Sequence, residues 1–259
     1  MRFASLGSGS KGNATLVEAG GTLLLIDCGF TRKETEMRMA RLGASPGDLD
    51  AILVTHEHSD HCAGVGPLSR QYDIPVYLSH GTASSGKLDG LRTQTRFNAD
   101  DAFQIGAVDV LAVPVPHDAR EPVQYKFSHG AQQLGVLTDL GSLTPHLVEA
   151  FGGCTGLLLE FNHDLELLMN GPYPAALKRR VAGDFGHLNN QQSVEFLQRA
   201  DTSRLRTLVA GHLSEQNNTP GHTQAALTRA AACHSASVTI ACQSRGFDWV
   251  QLLESGVAA

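Results

Sequence analysis

Along the first part of the chain, short apolar runs alternate with glycine-rich or polar breaks. Residues 2–6, 14–18 and 22–27 are such runs, and their punctuation predicts strands joined by tight turns. The character changes over 31–42, where Arg, Glu, Met and Ala dominate and Gly43 stands where a helix would stop; a helix is predicted there. A buried strand over 50–55, a helix over 62–72 and a strand over 75–79 follow. Apolar positions alternate across 103–115, with Gly106 and Ala107 placed for a turn. Further strands are predicted over 133–138, 156–160, 207–210 and 238–241, and helices over 174–181, 191–200 and 223–233. No linker and no short-period repeat interrupts this order. The expected product is an α/β fold in one domain, residues 1–259, with two sheets covered outside by helices. A division near residue 150 is the alternative, although no shift in composition marks it.

Polar residues fall at telling places in this pattern. His61, His117, Asp139, His163 and His212 each follow an apolar run. Strand ends on one side of a sheet are where α/β proteins build sites. The stretch His56-Glu57-His58-Ser59-Asp60-His61 puts three histidines and two acids directly after the run Ala51-Ile52-Leu53-Val54. Two histidines at i and i+2 past a strand can grip one metal ion, and a turn can aim Asp60 and His61 at a neighbouring one. Imidazole and carboxylate without thiolate suit Zn²⁺, Mn²⁺ or Fe. Two such ions about 3.5–4 Å apart can share a hydroxide nucleophile. A solvated turn would need none of these side chains.

Composition narrows the class. With 42% hydrophobic residues a substantial core is affordable, and no stretch approaches the roughly 20 apolar residues of a membrane span. The N-terminus shows no secretory signal. The five cysteines (Cys28, Cys62, Cys154, Cys233, Cys242) are odd in number and form no CxxC pair. That usage fits a reducing cytoplasm and argues against a disulfide framework or a thiolate zinc site. The net charge of −6 argues against a broad nucleic-acid-coating surface. It does not exclude a nucleic-acid enzyme, because bound divalent cations reverse the local sign.

The HxHxDH run at His56–His61 resembles the signature of the metallo-β-lactamase fold, and the other motifs follow that superfamily's order: Asp27 in "TLLLIDCG", His117 in "PVPHDA", Asp139 in "GVLTDLG" and His212 in "LVAGHLSEQNN". The stretches "GSGSKGN", "LEFNHDLELLMNGPYP", "GDFGHLNN" and "GHLSEQNN" further resemble the YycJ branch of bacterial metallohydrolases, over roughly residues 1–250. The resemblance implies a four-layer αββα sandwich with a dinuclear centre of two divalent ions. His56, His58 and His117 would hold the first and Asp60, His61 and His212 the second, with Asp139 between them. Asp60 and Asp139 would thereby serve catalysis as well as binding. Asp27 would orient the loop from behind the metals, or be a plain strand-end turn residue.

His187 in "GHLNN" and His212 in "GHLSEQNN" compete for one ligand position. His212 takes it here, because it follows an apolar strand as His61 and His117 do. His187 resembles the extra histidine of related phosphodiesterases that faces the scissile phosphate, where it could protonate the leaving oxygen; its alternative is a helix-start residue beside the cap Asn189. Asn13, Asn162 and His163 are expected as supporting or substrate contacts, with a buried structural histidine equally open for His163. The loop 7–13 lacks the spacing of a nucleotide P-loop; its glycines could bring backbone N–H groups to a phosphate, or form a simple turn. Lys178, Arg179 and Arg180 form a basic patch that could guide a nucleic-acid strand, a solvated helix face being the alternative. Cys62 reads as packing.

The resemblance thus implies a metal-dependent phosphodiesterase acting on nucleic acid, DNA in the first place. Hydrolysis of a small phosphodiester, a thioester or a lactone on the same metals is the alternative, as is a non-catalytic binding module, against which all seven ligand positions being present argues. Metal identity, polarity of cleavage and oligomeric state stay open, a dimer included.

Overall fold

The computed structural model describes residues 1–230 and 236–252. The end of the helix expected over 223–233, together with Cys233 and His234, lies outside the described residues. The chain divides into two compact units. The first comprises Met1–Pro114, Ala119–His129 and Cys242–Gln251; the second comprises Val115–Asp118, Gly130–Ala241 and the segment from Leu252. These divisions do not coincide with the boundary near 150 that was the sequence alternative.

In chain order the first unit holds β1 (Arg2–Gly7), β2 (Ala14–Ala19), β3 (Thr22–Ile26), α1 (Arg32–Arg41), β4 (Ala51–Leu53), α2 (Ser59–Cys62), α3 (Val65–Tyr72), β5 (Val76–Ser79), α4 (His80–Ala83), β6 (Gln94–Phe97), β7 (Ala102–Ile105), β8 (Val108–Pro114) and β9 (Val123–His129). The second holds β10 (Gln132–Leu137), α5 (Pro145–Ala150), β11 (Gly156–Glu160), α6 (Leu165–Asn170), α7 (Ala175–Val181), α8 (Asn190–Arg199), β12 (Thr207–Gly211), α9 (Pro220–Leu227) and β13 (Ser237–Ile240). β14 (Phe247–Gln251) returns to the first unit.

The first unit's sheet runs β14-β1-β2-β3-β4-β5-β6. It is antiparallel from β14 to β3 and parallel from β3 to β6. The same unit carries the antiparallel meander β7-β8-β9. In the second unit β10, β11, β12 and β13 pair in parallel. β11 and β12 are buried at every position, as parallel strands covered on both faces are, and so is β3, where the first sheet changes from antiparallel to parallel pairing. Leu6, Leu16, Leu25, Ile52, Val54, Leu68 and Val76 form the first unit's core.

The helix expected over 62–72 is instead two pieces, α2 and α3, broken near Gly64. There the backbone N–H of Gly64 donates to Cys28 O at 2.7 Å. A Cβ on that residue would lie 1.9 Å from Phe30 O, so only glycine admits the approach. The β6, β9 and β14 strands and the α4, α5 and α6 helices were not anticipated. β6 is exposed at its first three positions and offers no apolar period to read. The helices span four to six residues, too short to show periodicity.

The cysteines separate cleanly. Cys28 and Cys62 are buried, and burial pushes both thiols up to about 11. Cys242 is exposed, and hydrogen bonding to Ser244 and the nearby backbone lowers its thiol pKa. Because the thiolate is the nucleophile, Cys242 is expected to be the first of the four described cysteines to be alkylated by iodoacetamide in the native protein, with Cys28, Cys62 and Cys154 reacting only on unfolding. Peptide mapping at short reaction times checks this; early labelling of Cys28 or Cys62 would refute it.

Candidate metal centre

Parallel pairing of β3 with β4, which sets Ile26 beside Leu53, brings Asp27 and the residues after Leu53 to one strand end in the first unit. Asp27 has φ of 59°, a left-handed conformation that costs a non-glycine residue about 1–2 kcal/mol. Its N–H nonetheless donates to Leu53 O at 2.8 Å. Its carboxylate accepts from Thr55 N at 2.8 Å, Thr55 Oγ1 at 2.8 Å and His61 Nδ1 at 2.7 Å. Burial raises the Asp27 pKa, and these contacts with His61 and Thr55 oppose the rise. The Thr55 hydroxyl gives its one hydrogen to Asp27, so it accepts from His56 Nδ1 at 2.9 Å.

The result is a choice of tautomer. His56 and His61 both carry their proton on Nδ1, which leaves the Nε2 lone pair of each for a metal. His58 Nδ1 lies 3.0 Å from His56 Nε2, so His58 meets that position through its other nitrogen. Asp60 Oδ2 lies 3.8 Å from His61 Nε2. The Asn13 amide Nδ2 is 2.9 Å from the same nitrogen, and its Oδ1 accepts from Gly9 N at 2.7 Å. Gly29 lets this loop close: a Cβ there would sit 1.8 Å from Asp60 O. Glu57 faces away from this cluster's chemistry and accepts from Arg120 N at 3.0 Å.

The second unit repeats the device. Register in β10, β11 and β12 pairs Leu137 with Leu159 and Glu160 with Gly211. Asp139, Glu160 and His212 therefore gather at one edge. Asp139 (φ 54°) and His212 (φ 56°) are again left-handed; three strained non-glycine residues at three strand ends are a signature of sites rather than of ordinary turns. His212 Nδ1 donates to Glu160 Oε1 at 2.7 Å, and His187 Nδ1 to the same oxygen at 3.0 Å. His117 Nδ1 donates to Gly186 O at 3.1 Å. Asp139 Oδ1 then lies 3.8 Å from His117 Nε2, 3.6 Å from His212 Nε2 and 3.7 Å from His187 Nδ1. Asp139, Glu160, His187 and His212 all offer donor atoms within 4.8 Å of one another.

Glu160 is the residue that sequence reasoning left without a role. It is fully buried and also accepts from the backbone N–H groups of Asp139 (3.2 Å), Leu140 (2.9 Å) and Leu188 (3.0 Å). Burial alone would raise its pKa, but the facing His187 and His212 pull it down to about 2. Burial would likewise lower His187, and Glu160 reverses this, raising it to about 9. Asn162 supports from the side, donating through Nδ2 to His212 O at 3.1 Å. Asn189 caps α8 with a capping box, and Asn190 and Asn218 exchange amide hydrogen bonds at 3.1 and 2.9 Å. The two similar stretches around His187 and His212 are thus tied to one another. His163 is fully buried, and burial lowers its pKa to about 4.

The model of the metallo-beta-lactamase superfamily matches residues 7–212. The chain belongs to the metallo-β-lactamase superfamily. Over 84% of its length it is 35% identical to the exodeoxyribonuclease WalJ of Streptococcus pneumoniae, of which it covers 83%. It is also 35% identical to the exodeoxyribonuclease YycJ of Bacillus anthracis, again over 84% of the chain and 84% of that relative. Among solved structures, the metallo-β-lactamase-fold protein YhfI of Bacillus subtilis superposes with a TM-score of 0.72 at 17% identity, over 96% of this chain and 99% of that one, a likeness that concerns the fold alone.

As a superfamily member the chain is a hydrolase with the expected α/β sandwich fold, and the fold implies divalent metal ions. The residues present fit such ions. The donor set is imidazole and carboxylate, and four histidines hold Nδ1 in a hydrogen bond that leaves Nε2 as the basic atom. The Asp139 separations of 3.6 and 3.8 Å are too long for hydrogen bonds. They are close to the roughly 3.3 Å between two ligand atoms on one tetrahedral ion. No helix among the described residues is long and apolar enough to cross a membrane.

Proposed function

We propose that the protein is a dinuclear metal-dependent phosphodiesterase that removes nucleotides from DNA. In this reading His56, His58 and His117 would hold one ion and Asp60, His61 and His212 the other, with Asp139 a ligand available to both. Bound divalent ions, Mn²⁺ or Zn²⁺ in this reading, with Fe as a further fit to the same donors, supply an activated water and neutralise charge on the phosphate. Asp27, Thr55 and Glu160 hold the tautomers, and Asn13 and Asn162 brace the loops. A cytoplasmic setting suits the described cysteines, none of which is in a disulfide.

The observation that carries the phosphodiester reading is His187. It stands outside the ligand set, with its ring centroid 5.4 Å from those of both His117 and His212. Its side chain is 23% exposed where theirs are nearly sealed. Held through Nδ1 by Glu160, with its side chain partly open, it is suited to meet a negatively charged oxygen and to hand a proton to the leaving group. A neutral acyl substrate makes less use of a cation there. The 35% identity, over 84% of the chain, to two proteins named exodeoxyribonucleases supports DNA as the substrate.

The test strips the protein with chelator, restores Mn²⁺ and follows a 5′-phosphorylated, end-labelled duplex. Progressive loss of nucleotides is expected. Hydrolysis of a simple aryl phosphodiester without attack on DNA would move the assignment to a small phosphodiester, and activity on thioesters or lactones alone to the acyl-hydrolase class. His187→Ala is expected to keep its metals and to slow turnover by roughly 10²–10⁴-fold, the range for a lost general acid. Loss of metal from His187→Ala but not from His212→Ala would exchange the two assignments.

A further inference from the structure

The segment between α6 and α8 in the second unit carries features that the hydrolytic chemistry does not use. Phe185 is 62% exposed, and Leu165 and Met169 on α6 are 46% and 49% exposed. Single exposed apolar side chains are ordinary on a protein surface; what sets Phe185 apart is how its main chain is held. Its backbone is not loose. Phe185 O accepts from Asp118 N at 3.1 Å, Gly186 N donates to Gly183 O at 2.8 Å and His187 N donates to Val181 O at 2.9 Å. A Cβ on Gly141 would lie 2.5 Å from Phe185 Cα, so the main chain is wedged against the turn after Asp139. The next residue, Gly186, supplies the carbonyl that fixes His117, and the one after is His187. An exposed aromatic ring is therefore carried on rigid backbone one residue from the carbonyl that fixes His117 and two residues from His187, the histidine assigned to the scissile phosphate.

The adjoining helix supplies charge. α7 contains Lys178, Arg179 and Arg180, and no α7 residue is buried. Arg180 Nε is paired with Asp118 Oδ2 at 2.6 Å. Lys178 Nζ donates to Met169 O at 2.6 Å, a carbonyl that leaves its charge standing. Arg179 is exposed beside them. Over 175–187 the one acid is Asp184, so this strip is cationic in a chain of net charge −6. Rigid aromatic faces beside cationic side chains are how proteins hold single-stranded nucleic acid without reading its sequence: bases stack, phosphates pair.

We propose that Phe185 is a stacking platform for the nucleobase next to the scissile phosphate, with Lys178 and Arg179 meeting the backbone beyond it. The inference rests on the DNA-hydrolase reading and extends it: it makes the enzyme dependent on a base, though not on which base. Base–aromatic stacking corresponds to roughly 5- to 100-fold in affinity.

The test is a kinetic cycle with metal-loaded protein. Wild type and Phe185→Ala are each given a DNA strand with an intact terminal nucleotide and the same strand with an abasic terminal nucleotide. Removing the ring is expected to raise KM on the intact strand by roughly 5- to 100-fold with a much smaller change in kcat. Removing the base is expected to do the same to wild type, and the double change is expected to cost little more than either alone. Phe185→Tyr should restore wild-type KM. A terminal 2-aminopurine in a phosphorothioate-linked strand, which resists turnover, should be quenched by wild type and several-fold less by Phe185→Ala. Equal KM values for wild type and Phe185→Ala on the intact strand, or fully additive effects, would overturn the proposal while leaving the nuclease reading in place. Additive effects with a changed sedimentation coefficient would reassign the ring to contact with a second copy of the chain. Wild-type protein that hydrolyses an aryl phosphodiester but neither strand would refute the nuclease reading itself, and the platform with it.

Discussion

Glu160→Ala is expected to destabilise the metal-free protein by about 3–5 kcal/mol, the cost of removing one partner from a buried charged network. The carboxylate is fully buried and receives five hydrogens, from His187, His212 and three backbone amides. Alanine leaves the backbone donors buried without an acceptor, and each such loss is worth about 1–3 kcal/mol. Glu160→Gln keeps the volume and one acceptor oxygen but turns an amide NH₂ toward donors, so a loss of about 1–3 kcal/mol is expected. Denaturant titration of chelated protein measures both.

The pH dependence of that difference has a definite sign. Glu160 is held below its ordinary 4.5 in the folded state, so its contribution is present above that value and is lost as pH falls toward about 2. His187 is raised above 6.5 to about 9, so its contribution is full below 6.5 and is lost as pH rises through 9. In chelated protein the gap between wild type and Glu160→Gln should therefore be widest between about pH 4.5 and 6.5 and narrow on both sides. A gap that is flat across pH 3–9 would mean that the contact between these two groups is not ionic.

The apolar runs located the strands that matter because β3, β4, β11 and β12 are apolar over most of their length and β10 over its last four positions, with a polar residue at or just past each end. Their boundaries moved by at most two residues, and those of β11 did not move. The polar ends were legible for the same reason: a strand buried on both faces tolerates Asp27, Asp139 or His212 only past its last strand residue, where each is still buried but has partners for its polar atoms. What the sequence could not show was which polar residue faces which. Glu160, Asn162 and His163 stand within four positions, and nothing in their order says that Glu160 turns to His212, Asn162 to a carbonyl and His163 into the interior. That choice depends on the register between β11 and β12, a long-range pairing. Thr55 was overlooked for a similar reason, since a threonine before a histidine has many uses until Asp27 is seen to take its hydrogen.

His58→Ala should abolish measurable hydrolysis and lower the metal content from two ions per chain toward one, while leaving the chelated protein's stability within about 0.5 kcal/mol of wild type, as for a surface-type truncation. The contrast with Glu160 follows from what each side chain supports. His58 is the N-cap of α2 yet makes no side-chain capping bond there, and it is half-buried. Its ring meets His56 edge-on, with centroids 4.6 Å apart, and its Nδ1 faces the lone pair of His56 Nε2. Two ring nitrogens at 3.0 Å with one proton between them hold each other weakly. An ion bound by both would gain two good donors at once. The energy of His58 is thus spent on a ligand and not on the fold. Loss of an ion that neutralises phosphate charge removes several kcal/mol from the transition state, roughly 10³-fold or more in rate. Elemental analysis after dialysis, read beside chelated-state denaturation, checks both halves. Full metal content with lost activity would place His58 on the substrate instead. A large loss of chelated-state stability would make it a structural residue, and the ligand assignment in the first unit would fall back on His56 and His61.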